Sequence, residues 1–326
     1  MKLAAVYNPL TIGRWLAEGR TDEAVKVTEE AVDAGHPDAC FQLACWLLVG
    51  RPISRDLARC RELLNRAAEC GQIQARHVEI ALMARGDGAA PDWQGAFARL
   101  RALARSDQHA AIQVSLLEAM DIDGDGAPRA VPRGEALCGS PESTIFRALL
   151  TPDECRHLAL VSQMHLRPAH VIDERTGSGT RHAARDCDAG TLGPPQEDLV
   201  VQAILKRVAA ATGTPLDRGE SLNVLRYRSG QQYRYHLDTL PPQFNQRVFS
   251  TVLYLNEDYA GGETHFNRSG LTVKGRLGDA LLFRNVTADG RPDQHALHAG
   301  LPVASGVKWI AMRWIRERPY SPWAGD

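Results

Sequence analysis

Nothing in this sequence is apolar for long enough to span a bilayer. Its first twenty residues, MKLAAVYNPLTIGRWLAEGR, lack the unbroken hydrophobic stretch of a signal peptide. Membrane association is therefore not expected. Blocks of basic residues are missing as well: 38 Lys and Arg are scattered among 39 Asp and Glu, so the charge makes no case for nucleic acid as a partner. The seven cysteines are odd in number, and no two of them form a C-x-x-C pair. That disfavours a disulfide framework or a zinc site, and a reducing, cytoplasmic setting is expected. No cysteine follows Cys187, so the remainder of the chain must work without thiols.

The first 120 residues contain almost no β-branched runs. They are rich in Ala, Leu, Arg and Glu, with helical periodicity. Sliding the chain by 36 residues aligns CGQIQARHVEIA (70–81) with AGHPDACFQLA (34–44), pairing Gly71 with Gly35 and Ala75 with Ala39. The same shift sets RDLARCRELLNRAAECG (55–71) against PDWQGAFARLRALARSD (91–107), pairing Asp56 with Asp92 and Leu64 with Leu100. TDEAVKVTEEAVDAG (21–35) is a weaker unit before them. Such a period predicts stacked helix pairs, a solenoid domain over 1–120. The pattern resembles the tetratricopeptide class, especially its SEL-type subclass. The Gly/Pro/Asp-rich stretch 121–144 reads as a linker. Its DIDGDG imitates a calcium loop, but Pro132 stands where a bidentate glutamate is required, and a solvated turn is the better reading.

Beyond residue 145 the texture changes. Helices are expected over 151–163, with Thr151 as N-cap, and over 196–213, ending at Gly213. Short alternating segments follow: 221–228, 231–238, 247–256, 271–285 and 307–315, punctuated by Gly230, Gly261-Gly262, Gly278-Asp279 and Gly290. They predict a double-sheet β domain such as a jelly roll over 145–326. The Gly-Gly at 261–262 reads as a tight turn, since no helix follows to make a phosphate loop. The polar loop 173–195 is expected either as a flap over the site or as a disordered insertion.

Two His-x-Asp pairs occur, His36/Asp38 and His236/Asp238. In a strand, residues i and i+2 project from one face, so His236 and Asp238 can reach a single ion. His36 and Asp38 flank a proline at a helix start, which suits a capping role. A facial triad needs a third ligand, and His265, His295 and His298 are available. We select His298 because Lys308 follows it at the start of a strongly apolar strand. A lysine alternating inward with Ile310, Met312 and Trp314 is costly to bury unless it meets an anion, such as the carboxylate of a 2-oxo acid. Tyr227 is placed to hydrogen-bond the same carboxylate.

SLNVLRYRSGQQYRYHLD, RVFSTVLYLNEDYAGGETHF, GRLGDALLFRN and DQHALHAGLPVASGVKWIAMRWI closely resemble the prolyl 4-hydroxylase-like 2-oxoglutarate/Fe(II) dioxygenases, over about 143–320. The resemblance implies a double-stranded β-helix in which His236, Asp238 and His298 bind Fe(II). Lys308 and Tyr227 would then hold 2-oxoglutarate, while Tyr233, Trp314 and Arg247 line the active site. It further implies O2 as co-reactant, ascorbate as accessory reductant and a prolyl residue as target. The helical repeats would supply a concave surface for recruiting the protein substrate, since solenoids commonly bind this way. Tyr233 and Trp314 also suit a plain aromatic core, and Arg247 a structural ion pair. Where the family often has Arg-Thr-Ser this chain has RDC (185–187), which puts substrate identity in doubt. The competing functions are hydroxylation of a free amino acid or other small molecule, and non-catalytic sensing of oxygen or 2-oxoglutarate.

Overall fold

The computed structural model describes residues 7–169, 171–172, 179–180 and 186–322. The chain divides into two compact units, Met1–Ser115 and Leu116–Asp326. Helices build the first: α1 (Pro9–Ala17), α2 (Thr21–Asp33), α3 (Pro37–Val49), α4 (Leu57–Glu69), α5 (Ile73–Arg85), α6 (Trp93–Leu103) and α7 (Gln108–Ala119), the last running past the division. The side chains of Asn8, Asp56, Gln72 and Asp92 accept hydrogen bonds from first-turn amides and so start α1, α4, α5 and α6. α4 buries a stripe three to four residues apart, Cys60, Leu63, Leu64 and Ala67, and α2 does the same with Ala24, Thr28 and Val32. At His36-Pro37-Asp38 the cap position is His36, Pro37 opens α3, and Asp38 lies inside the first turn. The ring of Tyr7 lies 5.3 Å from that of His36, so this His-x-Asp pair belongs to helix packing.

The second unit opens on a closed turn. Oδ1 of Asp123 accepts from the amides of Asp125 and Ala127, and the Asp125 carbonyl takes the Lys206 ammonium. These groups satisfy one another, which fits a turn and not a calcium loop. A strand follows instead of a helix, and the expected linker 121–144 needs correcting. It contains β1 (Glu135–Gly139) and the start of β2 (Glu142–Phe146), which form an antiparallel hairpin on the main sheet.

After β2 come α8 (Pro152–Ser162), β3 (Arg167–Pro168), β4 (Val171–Ile172), β5 (Gly179–Thr180), β6 (Asp188–Leu192) and α9 (Leu199–Thr212). Then follow β7 (Leu222–Arg228), β8 (Tyr233–His236), β9 (Arg247–Tyr254), β10 (Tyr259–Gly261), β11 (Thr264–Phe266), β12 (Thr272–Val273), β13 (Ala280–Arg284), β14 (His298–Gly300) and β15 (Val303–Arg316). Thr151 and Glu154 make a reciprocal capping box on α8, and α9 ends at a left-handed Gly213. The segment expected as one strand over 271–285 is two strands, β12 and β13, in different sheets.

Among the described residues the larger sheet runs β1-β2-β13-β9-β15-β7-β6-β3, with β10 added on β15, and the smaller runs β12-β11-β14-β8. Phe266 and Val273 of the smaller sheet share a buried core with Leu281, Phe283, Ile310 and Met312 of the larger one. The architecture is thus a helical region followed by a large antiparallel β domain, consistent with a jelly roll. β8 and β14 lie side by side in the smaller sheet, facing this core.

Candidate metal centre

The strand expected over 231–238 stops at His236, so Asp238 lies in the loop beyond β8. Its carboxylate still turns toward the histidine, with Oδ1 3.4 Å from Nε2 of His236. β14 pairs with β8 so that His298 stands directly opposite His236, and Nε2 of His298 lies 3.9 Å from Oδ2 of Asp238. Strand register therefore brings in the third donor from 60 residues away in sequence. One donor atom from each residue lies within 4.8 Å of the others, and no second His/Cys/Asp/Glu cluster of this kind occurs among the described residues.

Both imidazoles are oriented from behind. Nδ1 of His236 bonds the Arg234 carbonyl at 2.8 Å, and Nδ1 of His298 bonds the Ala296 carbonyl at 2.9 Å. A ring that donates through Nδ1 keeps the lone pair on Nε2, and the Nε2 of His236 is buried with no hydrogen-bond partner. Burial, reinforced by His236, pushes the His298 imidazole down to about 4 against the pull of Asp238. It is accordingly neutral, as a metal ligand must be. Burial opposes ionisation of Asp238, but His236, His298 and Ser250 outweigh it and hold the carboxyl well below the usual carboxylate range. Two imidazole nitrogens and one carboxylate oxygen fit the 2-His-1-carboxylate set of non-haem Fe(II).

Behind Asp238 lies a relay the sequence did not disclose. Ser250 of β9 donates its hydroxyl to Oδ2 of Asp238 at 2.5 Å and accepts from Nδ2 of Asn285 at 2.9 Å. Both residues are fully buried. The available signal was the Ser250-Thr251 pair within the otherwise apolar run VFSTVLY of β9, since most buried hydroxyls have partners.

Lys308 of β15 is 3% exposed and stands opposite Tyr227 of β7, with Nζ 5.5 Å from that ring's centre. Its ammonium donates to the Gly262 carbonyl at 2.6 Å. Burial pulls its pKa down to about 8, against the attraction of Glu263 and Cys187. An anion placed beside a buried cation of this kind would stabilise it. Cys187, of the RDC segment, is buried in the same core as Tyr227.

Tyr233 stacks on His236 with ring centres 3.5 Å apart. Arg247 is bound sideways: Nε and Nη2 donate to the two carboxylate oxygens of Glu220 at 2.6 and 2.8 Å. The same Glu220 receives Nε of Arg316 at 2.5 Å. The Arg247 guanidinium lies 3.9 Å from the centre of the Trp314 ring, and the Nε1 of that indole is buried without a partner. Sequence reading missed Glu220 and Arg316, which stand 27 and 69 residues from Arg247. Of the alternative histidines, His265 is taken by the hydroxyl of Tyr235 at 2.7 Å, and His295 stands outside the donor cluster. Of the expected flap 173–195, residues 173–178 and 181–185 lie outside the described residues, while Gly179–Thr180 form β5 and Asp188–Leu192 form β6.

Residues 222–316 match the sequence profile of the 2OG-Fe(II) oxygenase superfamily. The chain is 33% identical over 206 residues to Prolyl 4-hydroxylase 1 of Arabidopsis thaliana, covering 57% of this chain and 73% of that one. It is 32% identical over 205 residues to Prolyl 4-hydroxylase 5 of the same plant, covering 56% and 70%. Among solved structures it is similar to the viral collagen prolyl hydroxylase of Paramecium Bursaria Chlorella virus-1 in its 2OG complex. There the identity is 25% and the TM-score 0.44, over 55% of this chain and 98% of the other.

Proposed function

Because this chain belongs to the prolyl 4-hydroxylases of the 2OG-Fe(II) oxygenase superfamily, we propose that it hydroxylates a prolyl residue in a protein or peptide. The observation that carries this reading is the donor cluster of His236, Asp238 and His298, with its unpartnered, inward-facing nitrogen. When bound, Fe(II) and 2-oxoglutarate supply the chemistry: 2-oxoglutarate, O2 and a C–H bond give succinate, carbon dioxide and C–OH.

The chain's own residues do the positioning. His236, Asp238 and His298 hold the ion, and Ser250 and Asn285 fix the carboxylate that completes the set. Lys308 neutralises the distal carboxylate of the cosubstrate, with Tyr227 beside it. Tyr233 covers one face of His236 and limits water there. Trp314 has an unpartnered indole N–H available to the substrate, and Arg247, pinned by Glu220, covers one face of that indole and keeps it in place. Ascorbate is proposed as external reductant on the family resemblance alone, and the seven free cysteines suit a reducing, cytoplasmic setting.

For the first unit we favour a tetratricopeptide-like solenoid that recruits the substrate protein. Supporting this, α2, α4 and α6 begin at Thr21, Leu57 and Trp93, and α3 and α5 at Pro37 and Ile73, each step 36 residues. Their caps repeat as well, with Asp56 and Asp92 at helix starts and left-handed Gly50 and Gly86 at helix ends.

The decisive assay is succinate release from 2-oxoglutarate by the Fe(II)-loaded protein with proline-containing peptides, paired with mass detection of an added oxygen on proline. Activity that disappears in His236→Ala and in Asp238→Ala is the expected result. Turnover surviving either substitution would refute the assignment.

A further inference from the structure

Lys308 is flanked on one face of the main sheet by two tyrosines. Tyr227 is its direct cross-strand partner on β7. On the other side β10 pairs with β15 so that Tyr259 stands opposite Gly306. Residues 306 and 308 share a face of β15, so both rings lie on the same side as the lysine. Gly262 closes the space between them: a Cβ built there would meet Cδ of Lys308 at 3.1 Å and Cε2 of Tyr259 at 3.4 Å. The stem of the lysine and the edge of the tyrosine thus converge on one point. Gly262 has φ +71, so the glycine is required both by its turn and by this close approach.

The ring of Tyr259 is well held, but its hydroxyl is not. Lys274 donates to the Tyr259 carbonyl at 2.8 Å and places its ammonium 4.9 Å from the ring centre. The residue is 6% exposed, yet its buried hydroxyl has no hydrogen-bond partner. Most buried hydroxyls are satisfied, and an exception leaves a donor for a water or a ligand to meet. Burial, with Tyr254 nearby, drives the phenol pKa far up, so at neutral pH this hydroxyl can donate.

We propose that Tyr259 is a cosubstrate-binding residue whose hydroxyl donates to the distal carboxylate of the 2-oxo acid held by Lys308. The inference rests on the reading of Lys308 given above. It adds a further donor on the side opposite Tyr227, so that the anion is shared between an ammonium and two phenols. A 2-oxo acid without a distal carboxylate gains nothing from this residue.

The test is anaerobic calorimetry of 2-oxoglutarate binding to the full-length, Fe(II)-loaded protein and to its Tyr259→Phe and Lys308→Ala variants. 2-Oxobutyrate, which lacks the distal carboxylate, is titrated in parallel. Tyr259→Phe should weaken 2-oxoglutarate binding about tenfold or more, in line with loss of a hydrogen bond to a charged group. It should leave 2-oxobutyrate binding unchanged and should not lower the unfolding temperature of the metal-free protein, because the lost hydroxyl has no partner there. Unchanged affinity in Tyr259→Phe with weakened affinity in Lys308→Ala would overturn the role of Tyr259 and leave the Lys308 reading standing. Unchanged affinity in both variants would overturn the two together. A lowered unfolding temperature with unchanged affinity would make Tyr259 a core residue only.

Discussion

At the scale of single residues, the metal centre depends on a serine that touches no metal. Ser250 gives its proton to Asp238 and receives one from Asn285, so one oxygen of the carboxylate is fixed in place. Removing that hydroxyl frees the carboxylate to rotate and leaves the Asn285 amide unpaired in the core, at a cost of about 1–3 kcal/mol. Ser250→Ala should therefore weaken Fe(II) affinity about tenfold or more, in the range typical of groups that orient a ligand. Competitive chelator titration measures this, and an affinity equal to that of the unaltered protein would show the serine to be dispensable. Arg247 teaches a related lesson. Its two strong bonds go to Glu220 and its flat face to Trp314, so its positive charge is spent inside the protein before any substrate arrives.

At the scale of elements, α8 and α9 are joined by two buried polar contacts, Arg207 to Glu154 and His157 to Asp198. Nε2 of His157 lies 2.8 Å from Oδ2 of Asp198, the residue that also caps α9 by accepting from the Val201 amide. Burial lowers the His157 pKa, but Asp198 more than offsets it, and the net shift is upward from 6.5. A histidine whose folded pKa exceeds its unfolded value stabilises the fold fully below that unfolded value, and the contribution fades as pH rises through the folded one. Denaturant midpoints should thus fall as pH climbs from 6 toward 8, and His157→Gln should flatten the slope; an equal slope in both proteins would exclude this pair as its source. The neighbouring elements show what was legible in the sequence. Thr151, Gly213 and the apolar alternation of the later strands marked α8, α9 and most of β7, β9 and β15, because caps and periodicity are local signals. The His-x-Asp motif marked two donors for the same reason, although β8 ends before Asp238. The pairing of β14 with β8, the Glu220–Arg316 bridge across 96 residues and the β1–β2 hairpin inside a linker-like composition depend on long-range register, which no local pattern encodes.

For the whole molecule, the separation into Met1–Ser115 and Leu116–Asp326 divides the labour that we propose. All three metal donors, Lys308 and Trp314 belong to the second unit, so chemistry and recruitment should come apart. Deleting residues 1–115 should abolish hydroxylation of a full-length protein substrate while sparing uncoupled 2-oxoglutarate turnover, both followed by succinate release and mass spectrometry. Undiminished hydroxylation of the protein substrate by the shortened chain would remove the helices from substrate capture. Within the catalytic unit, β15 has a further consequence. It carries Lys308 and Trp314 on one uninterrupted strand, laddered to β7 from Val307 to Met312 and to β9 from Ile310 to Arg316. Six residues at about 3.3 Å each set a span of roughly 20 Å that this backbone cannot stretch. The strand is a ruler: the anchor for the cosubstrate and the indole offered to the substrate keep one separation, whatever is bound. Any drift in what the enzyme accepts must come from exchanged side chains along its face, because the scale itself does not move.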